Sequence, residues 1–114
     1  MSDCIFCRVV RREIPSKIVY EDDQLLAFED VNPQAPVHLL VIPKKHIDQL
    51  SSLSSKDQGL GGALLQAANR LAKDKGILEE GFRVVINSGP KAGQTVFHLH
   101  LHVMGGRLFR WPPG

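Results

Sequence analysis

The chain has 114 residues, of which 43% are hydrophobic and 23% charged, and a formal net charge of +2. Those totals describe a single soluble globular domain over residues 1–114, long enough to bury one core of its own. They give no footing for a nucleic-acid or membrane surface. The basic residues are scattered, and no segment approaches the roughly 20 consecutive apolar residues of a membrane span.

The N-terminus, "MSDCIFCRVV", has neither a basic n-region nor a cleavage site, so no secretory signal is expected. The expected location is cytoplasmic, with Cys4 and Cys7 reduced; a bridge between them would close only a tiny loop. Residues 4–12 read as a short helix or turn whose "RVVRR" run is a solvated face. A β-rich run starts at Ile18, "DD" at 22–23 reads as a hairpin turn, and "LLAFED" as a second strand. The two prolines of "NPQAP" forbid helix there. "VHLLVIP" at 37–43 is a strand apolar enough to be buried. Leu60, Ala63, Leu64, Ala67, Ala68 and Leu71 give residues 55–75 one helical apolar face. Ser55 with Gln58 forms a capping box, Gly76 is the stop, and Gly59, Gly61 and Gly62 weaken the start. "FRVVINSG" at 82–89 and "TVFHLHLHVM" at 95–104 are strands joined by a "PKAG" hairpin. The order of β-hairpin, β, α, β-hairpin predicts an α+β domain with a mainly antiparallel sheet backed by helix.

Three of the five histidines alternate with apolar residues in "HLHLHVM", residues 98–104. On a strand, Phe97, Leu99, Leu101 and Val103 then face a core, while His98, His100 and His102 form a row on the other side. Such a row suits either of two chemistries. Two or three of the imidazoles could ligate zinc with a position open to water. Alternatively, a neutral imidazole could act as nucleophile and leaving group, oriented by its neighbours. In the loop before the row, Gly89 and Gly93 permit close backbone approach, and Gln94 and Thr95 supply donors.

"HLHLHVM" fits the His-φ-His-φ-His-φ-φ signature of the histidine triad superfamily at all seven positions, φ being apolar. The chain resembles the Hint branch from end to end, through "IPSKIVYEDD", "LAFEDVNPQAPVHLLVIPKKHI", "GFRVVINSG", "GQTVFHLHLHVMGGR" and the terminal "WPPG". The resemblance implies a five-stranded antiparallel sheet with helices. Two subunits would join their sheets into a ten-stranded one across a homodimer. It implies hydrolysis of the P–N bond of purine nucleoside 5′-phosphoramidates and aminoacyl-adenylates, giving AMP or GMP, with no cofactor required for catalysis.

Carried over by position, His100 resembles the nucleophile that forms a nucleotidyl-histidine. His38 matches the family's separate fourth histidine and, with His102, would orient His100, meet the phosphate and relay protons; His98 supports them. Asn87, Thr95 and the backbone N–H groups from Gly93 through Gln94 to Val96 match the phosphate-binding positions. Thr95 stands where the family often has Ser, and keeps the hydroxyl. Ile5, Phe6, Val9, Ile14, Phe28 and Leu40 would make the purine slot, with Asp30 accepting from the ribose. Cys4-x-x-Cys7 is half a zinc site by spacing. Some relatives complete such a site with two histidines, which here would be His46 and His98. Trp111, in the tail, would reach the partner subunit's active site. The resemblance leaves three rivals: a dinucleoside polyphosphate hydrolase, a nucleotide-binding interaction module with little turnover, and a hydrolase that uses the row as zinc ligands.

Overall fold

The structure is a computed structural model and describes residues 4–114. Among the described residues, five strands form one antiparallel sheet: β1 (Ile18–Glu21), β2 (Leu25–Glu29), β3 (Val37–Pro43), β4 (Phe82–Val85) and β5 (Leu101–Gly105), in spatial order β1-β2-β3-β5-β4. The last strand in the chain is thereby inserted between β3 and β4. It pairs Leu40 with His102 on one side and Val85 with His102 on the other. The histidine-bearing segment thus enters the interior of the sheet, where both neighbours hold it in register.

Alternation divides the apolar residues between two faces. Leu25, Ala27, Leu39, Val41, Leu99, Leu101 and Val103 pack with Leu64, Ala67, Ala68 and Leu71 of helix α2 (Gln58–Asp74). Leu26, Phe28, Leu40 and Ile42 pack on the opposite face with Phe6 and Val9 of helix α1 (Ile5–Val10). β2 and β3 are covered on both sides, which is why their sequences are almost continuously apolar. The basic run at residues 8–12, at the end of α1 and just after it, is paired with acids: Arg8 and Arg11 with Glu13, and Arg12 with Glu21.

Three local expectations are corrected. The capping box is Ser54 with Asp57 rather than Ser55 with Gln58. The Asp57 carboxylate accepts from the Ser54 N–H at 2.9 Å, and a single turn of 3-10 helix, Ser55–Asp57, leads into α2. The predicted stop is in place, with Gly76 at φ +73°. Second, β5 begins at Leu101 rather than at residue 95, and β4 reaches it through residues 86–100 instead of a tight "PKAG" turn. Third, Phe97 is 41% exposed rather than in the core. The ladder partners start only at Val41 and Val85, so the pleat that would have turned Phe97 inward is not imposed. From Leu99 onward the alternation holds, and the Leu99 N–H is secured by the Ile47 carbonyl at 2.7 Å.

Two glycines give opposite expectations. A Cβ on Gly105 would meet Ile77 at 2.6 Å, whereas one on Gly62 in α2 meets nothing within 4 Å. Gly105→Ala should destabilise by about 1–3 kcal/mol through overpacking, and Gly62→Ala should stabilise by up to about 1 kcal/mol through helix propensity. Urea midpoints of the two variants check both signs.

Candidate active site

The segment 98–102, flanked by β3 and α1, brings four of the histidines together. His98 is fully buried, and His38 and His100 are buried almost as deeply. Phe6 of α1 stands edge-on to the rings of His98 and His100, with centroids 5.9 and 5.2 Å away. His100 and His102 are 5.0 Å apart by the same measure.

Main-chain partners decide which nitrogen of each ring carries its proton, because a carbonyl only accepts and an N–H only donates. His100 Nδ1 is 2.8 Å from the carbonyl oxygen of His98, so Nδ1–H donates there. That leaves Nε2 as the bare nitrogen of a ring that lines the cavity. His38 Nδ1 accepts from the Gln34 N–H at 3.0 Å, so His38 carries its proton on Nε2. His38 Nε2–H donates to His102 Nδ1 at 2.9 Å, with the Asp30 carboxylate 3.3 Å away. His102 is then protonated at Nε2. Bare Nε2 on His100 beside Nε2–H on His102 is a nucleophile next to a donor.

The cavity holds about 300 Å³ and is bounded by Ile5, Phe6, Val9, Ile14, Phe28 and Leu40, with Asp30, Thr95, Val96, His100 and His102. Sequence reasoning missed Pro15, Ser16 and Val31, which also line it. Their neighbours Ile14 and Asp30 were the available signal. Not every expected residue reaches the cavity. Asn87 is half-buried in the loop after β4, and Gly93 is exposed at φ +97°. Gln94 is 4% exposed. Its amide is spent inside the loop, accepting from the Gly89 N–H and donating to the Asp48 and Val96 carbonyls. Trp111 is 83% exposed. A larger hollow of about 450 Å³ lies between β4 and the tail, where Arg83 and Arg107 flank Phe109, and no histidine lines it.

His98 turns away from the cavity toward the cysteines. Cys4, Cys7, His46 and His98 present ligand atoms within 4.8 Å of one another. His98 Nε2–H donates to the Pro43 carbonyl at 2.8 Å, so bare Nδ1 faces the thiols, 3.3 Å from Cys4 Sγ and 3.6 Å from Cys7 Sγ. His46 is tied through Nε2 to Asp48 at 2.7 Å and sets Nδ1 3.3 Å from Cys7 Sγ. Two thiols and two imidazoles, each ring anchored through its far nitrogen, fit a four-coordinate structural zinc and its supporting hydrogen bonds. Asp48 follows His46 at two residues, a spacing that could have flagged it. Asp30, His38 and His102 also cluster. However, both nitrogens of His38 are spent on hydrogen bonds, which leaves no lone pair for a metal.

A family model described as "HIT domain" matches residues 11–108. The chain belongs to the HIT domain family. An uncharacterized HIT-like protein of Synechocystis sp. is 61% identical over 112 residues, 98% of this chain and 97% of the relative. Among solved structures, a HIT family hydrolase from Legionella pneumophila is 46% identical, with a TM-score of 0.97 over 98% of this chain and 100% of the other. A histidine triad protein from Clostridium difficile is also 46% identical, with a TM-score of 0.93 and 96% of each chain covered. The sheet and helices described above are those of this HIT fold. Among the described residues of this HIT domain, no helix is long and apolar enough to cross a membrane.

Burial disfavours the charged form of His38, His98 and His102. It lowers the pKa of His98, and that of His38 against the pull of Asp30. It pushes His102 down to about 4, helped by the neighbouring His100 and His38. Between pH 6.5 and 4 the unfolded chain therefore binds a proton that folded His102 refuses, so stability falls as pH drops through that window. Replacing His102 by Gln removes this contribution. From pH 7 to 4.5 the wild type should lose more unfolding free energy than the variant. The difference, discounted for the ring's partial exposure, should be on the order of 1 kcal/mol. Urea titrations at the two pH values measure it, and equal losses would contradict the assignment.

Proposed function

We propose that this chain is a phosphoramidase of the Hint branch, hydrolysing purine nucleoside 5′-phosphoramidates and aminoacyl-adenylates through a nucleotidyl-His100 intermediate. One observation carries the reading: bare Nε2 of His100 stands beside Nε2–H of His102 at one apolar slot with an acidic end. A purine fits between Ile5, Phe6, Val9, Ile14, Phe28 and Leu40 as a flat apolar body, and Asp30 accepts from the ribose hydroxyls. His100 Nε2 attacks phosphorus, the Nε2–P bond forms and the P–N bond breaks. The entering phosphoryl anion offsets the desolvation that keeps His102 neutral. The His38–His102 pair therefore takes one proton from solvent and passes it to the departing amine. Water then attacks phosphorus, the P–Nε2 bond breaks, and the proton that water loses returns to the pair. The hydroxyl of Thr95 and the N–H groups around Val96 meet the charge on the phosphoryl oxygens.

The same resemblance supports a homodimer, and the N-terminal sequence, without a basic n-region or cleavage site, supports a cytoplasmic location. β4 has no strand on its outer side among the described residues, and Leu65 of α2 is exposed beside it. A second copy pairing along that edge would extend the sheet and give Trp111 a surface to dock on. Zinc held by Cys4, Cys7, His46 and His98 would supply structural cross-linking and no open position for water. Protein purified without added metal should then contain about one zinc equivalent per chain, and less than a tenth would leave the four as plain thiols and imidazoles.

His100→Ala should lower turnover of adenosine 5′-phosphoramidate by at least about a thousandfold, as loss of a nucleophile does, while AMP still binds. AMP release measured by chromatography and binding by calorimetry test the two halves; activity within tenfold of wild type would sink the assignment. Deleting residues 111–114 should leave AMP binding intact and alter the ranking of substrates with bulky and minimal amines by about 1–3 kcal/mol. Uniform slowing of the whole series would deny the tail any part in specificity.

A further inference from the structure

The thiol–imidazole cluster and the nucleophile share a residue. His98 sets its side chain among Cys4, Cys7 and His46, while its main-chain carbonyl receives the Nδ1–H of His100. A second path runs through α1. Cys4 is the N-cap of this helix and its sulfur accepts from the Cys7 N–H at 3.4 Å. Ile5, Phe6 and Val9 then form a wall of the cavity, and Phe6 touches both His98 and His100. α1 is only six residues long and has no acidic residue in its first turn. A helix that short is marginal without tertiary anchoring.

We propose that Cys4, Cys7, His46 and His98, when they share one zinc-class divalent ion, are positioning residues for the His100 step as well as structural ligands. Bonding of His98 Nδ1 to the ion, with Nε2–H on the Pro43 carbonyl, holds that residue at both ends of its ring and so holds the carbonyl that selects the His100 tautomer. Bonding of Cys4 and Cys7 ties the start of α1 to the same point and keeps Phe6 against the nucleophile. Without the ion, four neutral groups at 3.3–3.6 Å contacts hold α1 there only weakly. The slot wall formed by α1 loosens, and the His98 carbonyl that biases His100 toward a bare Nε2 is held by its main-chain path alone. This inference rests on the nucleophilic role of His100 proposed above.

The test uses the full chain in two forms, stripped with a strong chelator and reloaded with zinc sulfate alone. Long-range nitrogen–proton NMR reads the His100 tautomer, calorimetry reads AMP affinity, and kinetics on adenosine 5′-phosphoramidate read kcat and KM. Reloaded protein should show His100 protonated at Nδ1. Stripped protein should show mixed tautomers and a kcat lower by roughly tenfold, the size of loss typical when a supporting ligand shell is disturbed. The reloaded sample should recover both. Stripping could unfold the chain, so His46→Ala serves as the second sample. His46 is partly exposed and lies outside the nucleotide cavity, so this variant opens the cluster while leaving His98 and both cysteines in place. It should reproduce the mixed tautomers and the lower kcat, and His46→Cys, which restores a fourth ligand, should reverse them. The proposal is overturned if the chain takes up no zinc, or if the tautomer and AMP affinity are the same with and without it. If wild type cleaves no phosphoramidate, the proposed activity falls, and the tautomer measurement alone decides the coupling.

Discussion

The hydrogen bond from His100 Nδ1 to the carbonyl of His98, 2.8 Å long, determines what this site can do. In the other tautomer the ring would turn an N–H toward the substrate and leave a buried carbonyl unpaired, at a cost of about 1–3 kcal/mol. That difference favours the bare Nε2 by roughly five- to 150-fold. The bond requires residues 98–102 to run extended with alternate side chains on opposite faces. That path is enforced from the far side of the sheet, where Leu99, Leu101 and Val103 are buried against α2. The apolar half of the motif thereby sets the chemistry of the polar half.

The other histidines follow the same rule with different anchors. The Gln34 N–H fixes His38, the Pro43 carbonyl fixes His98, and Asp48 fixes His46. Three of these four anchors, counting the His98 carbonyl, are main-chain atoms whose polarity no substitution can invert. His102 takes its tautomer second-hand from His38. The arrangement divides five imidazoles between two jobs on either side of Phe6: His98 and His46 with the thiols, and His100, His102 and His38 at the slot. As a HIT domain, the chain places these groups on the same scaffold as the Legionella and Clostridium structures it superposes on.

Much of this is legible in the sequence. The period of two in residues 98–103 assigned the faces, and the continuous apolar runs of β2 and β3 announced a sheet covered on both sides. The resemblance selected the slot residues, which taken singly read as core. What escaped detection shares a cause. Pro43 and Gln34 act through main-chain atoms, so their residue type carries no mark of the role. The Gln94 amide suits a ligand donor, yet an amide serves a loop's own backbone equally well, and the choice depends on the path of residues 86–100. Phe97 broke the alternation because pleating is a property of paired strands, and its partners begin four residues later. Ser16 and Val31 line the cavity through loop paths that propensity does not specify.

If His100 bonds to phosphorus during turnover, as proposed, the stereochemistry at phosphorus records it. Hydrolysis of a single diastereomer of an adenosine 5′-phosphoramidothioate in oxygen-18 water gives a chiral product. Attack by His100 followed by attack by water comprises two in-line displacements and predicts net retention of configuration. Inversion would mean that water attacks phosphorus directly, and would contradict the account.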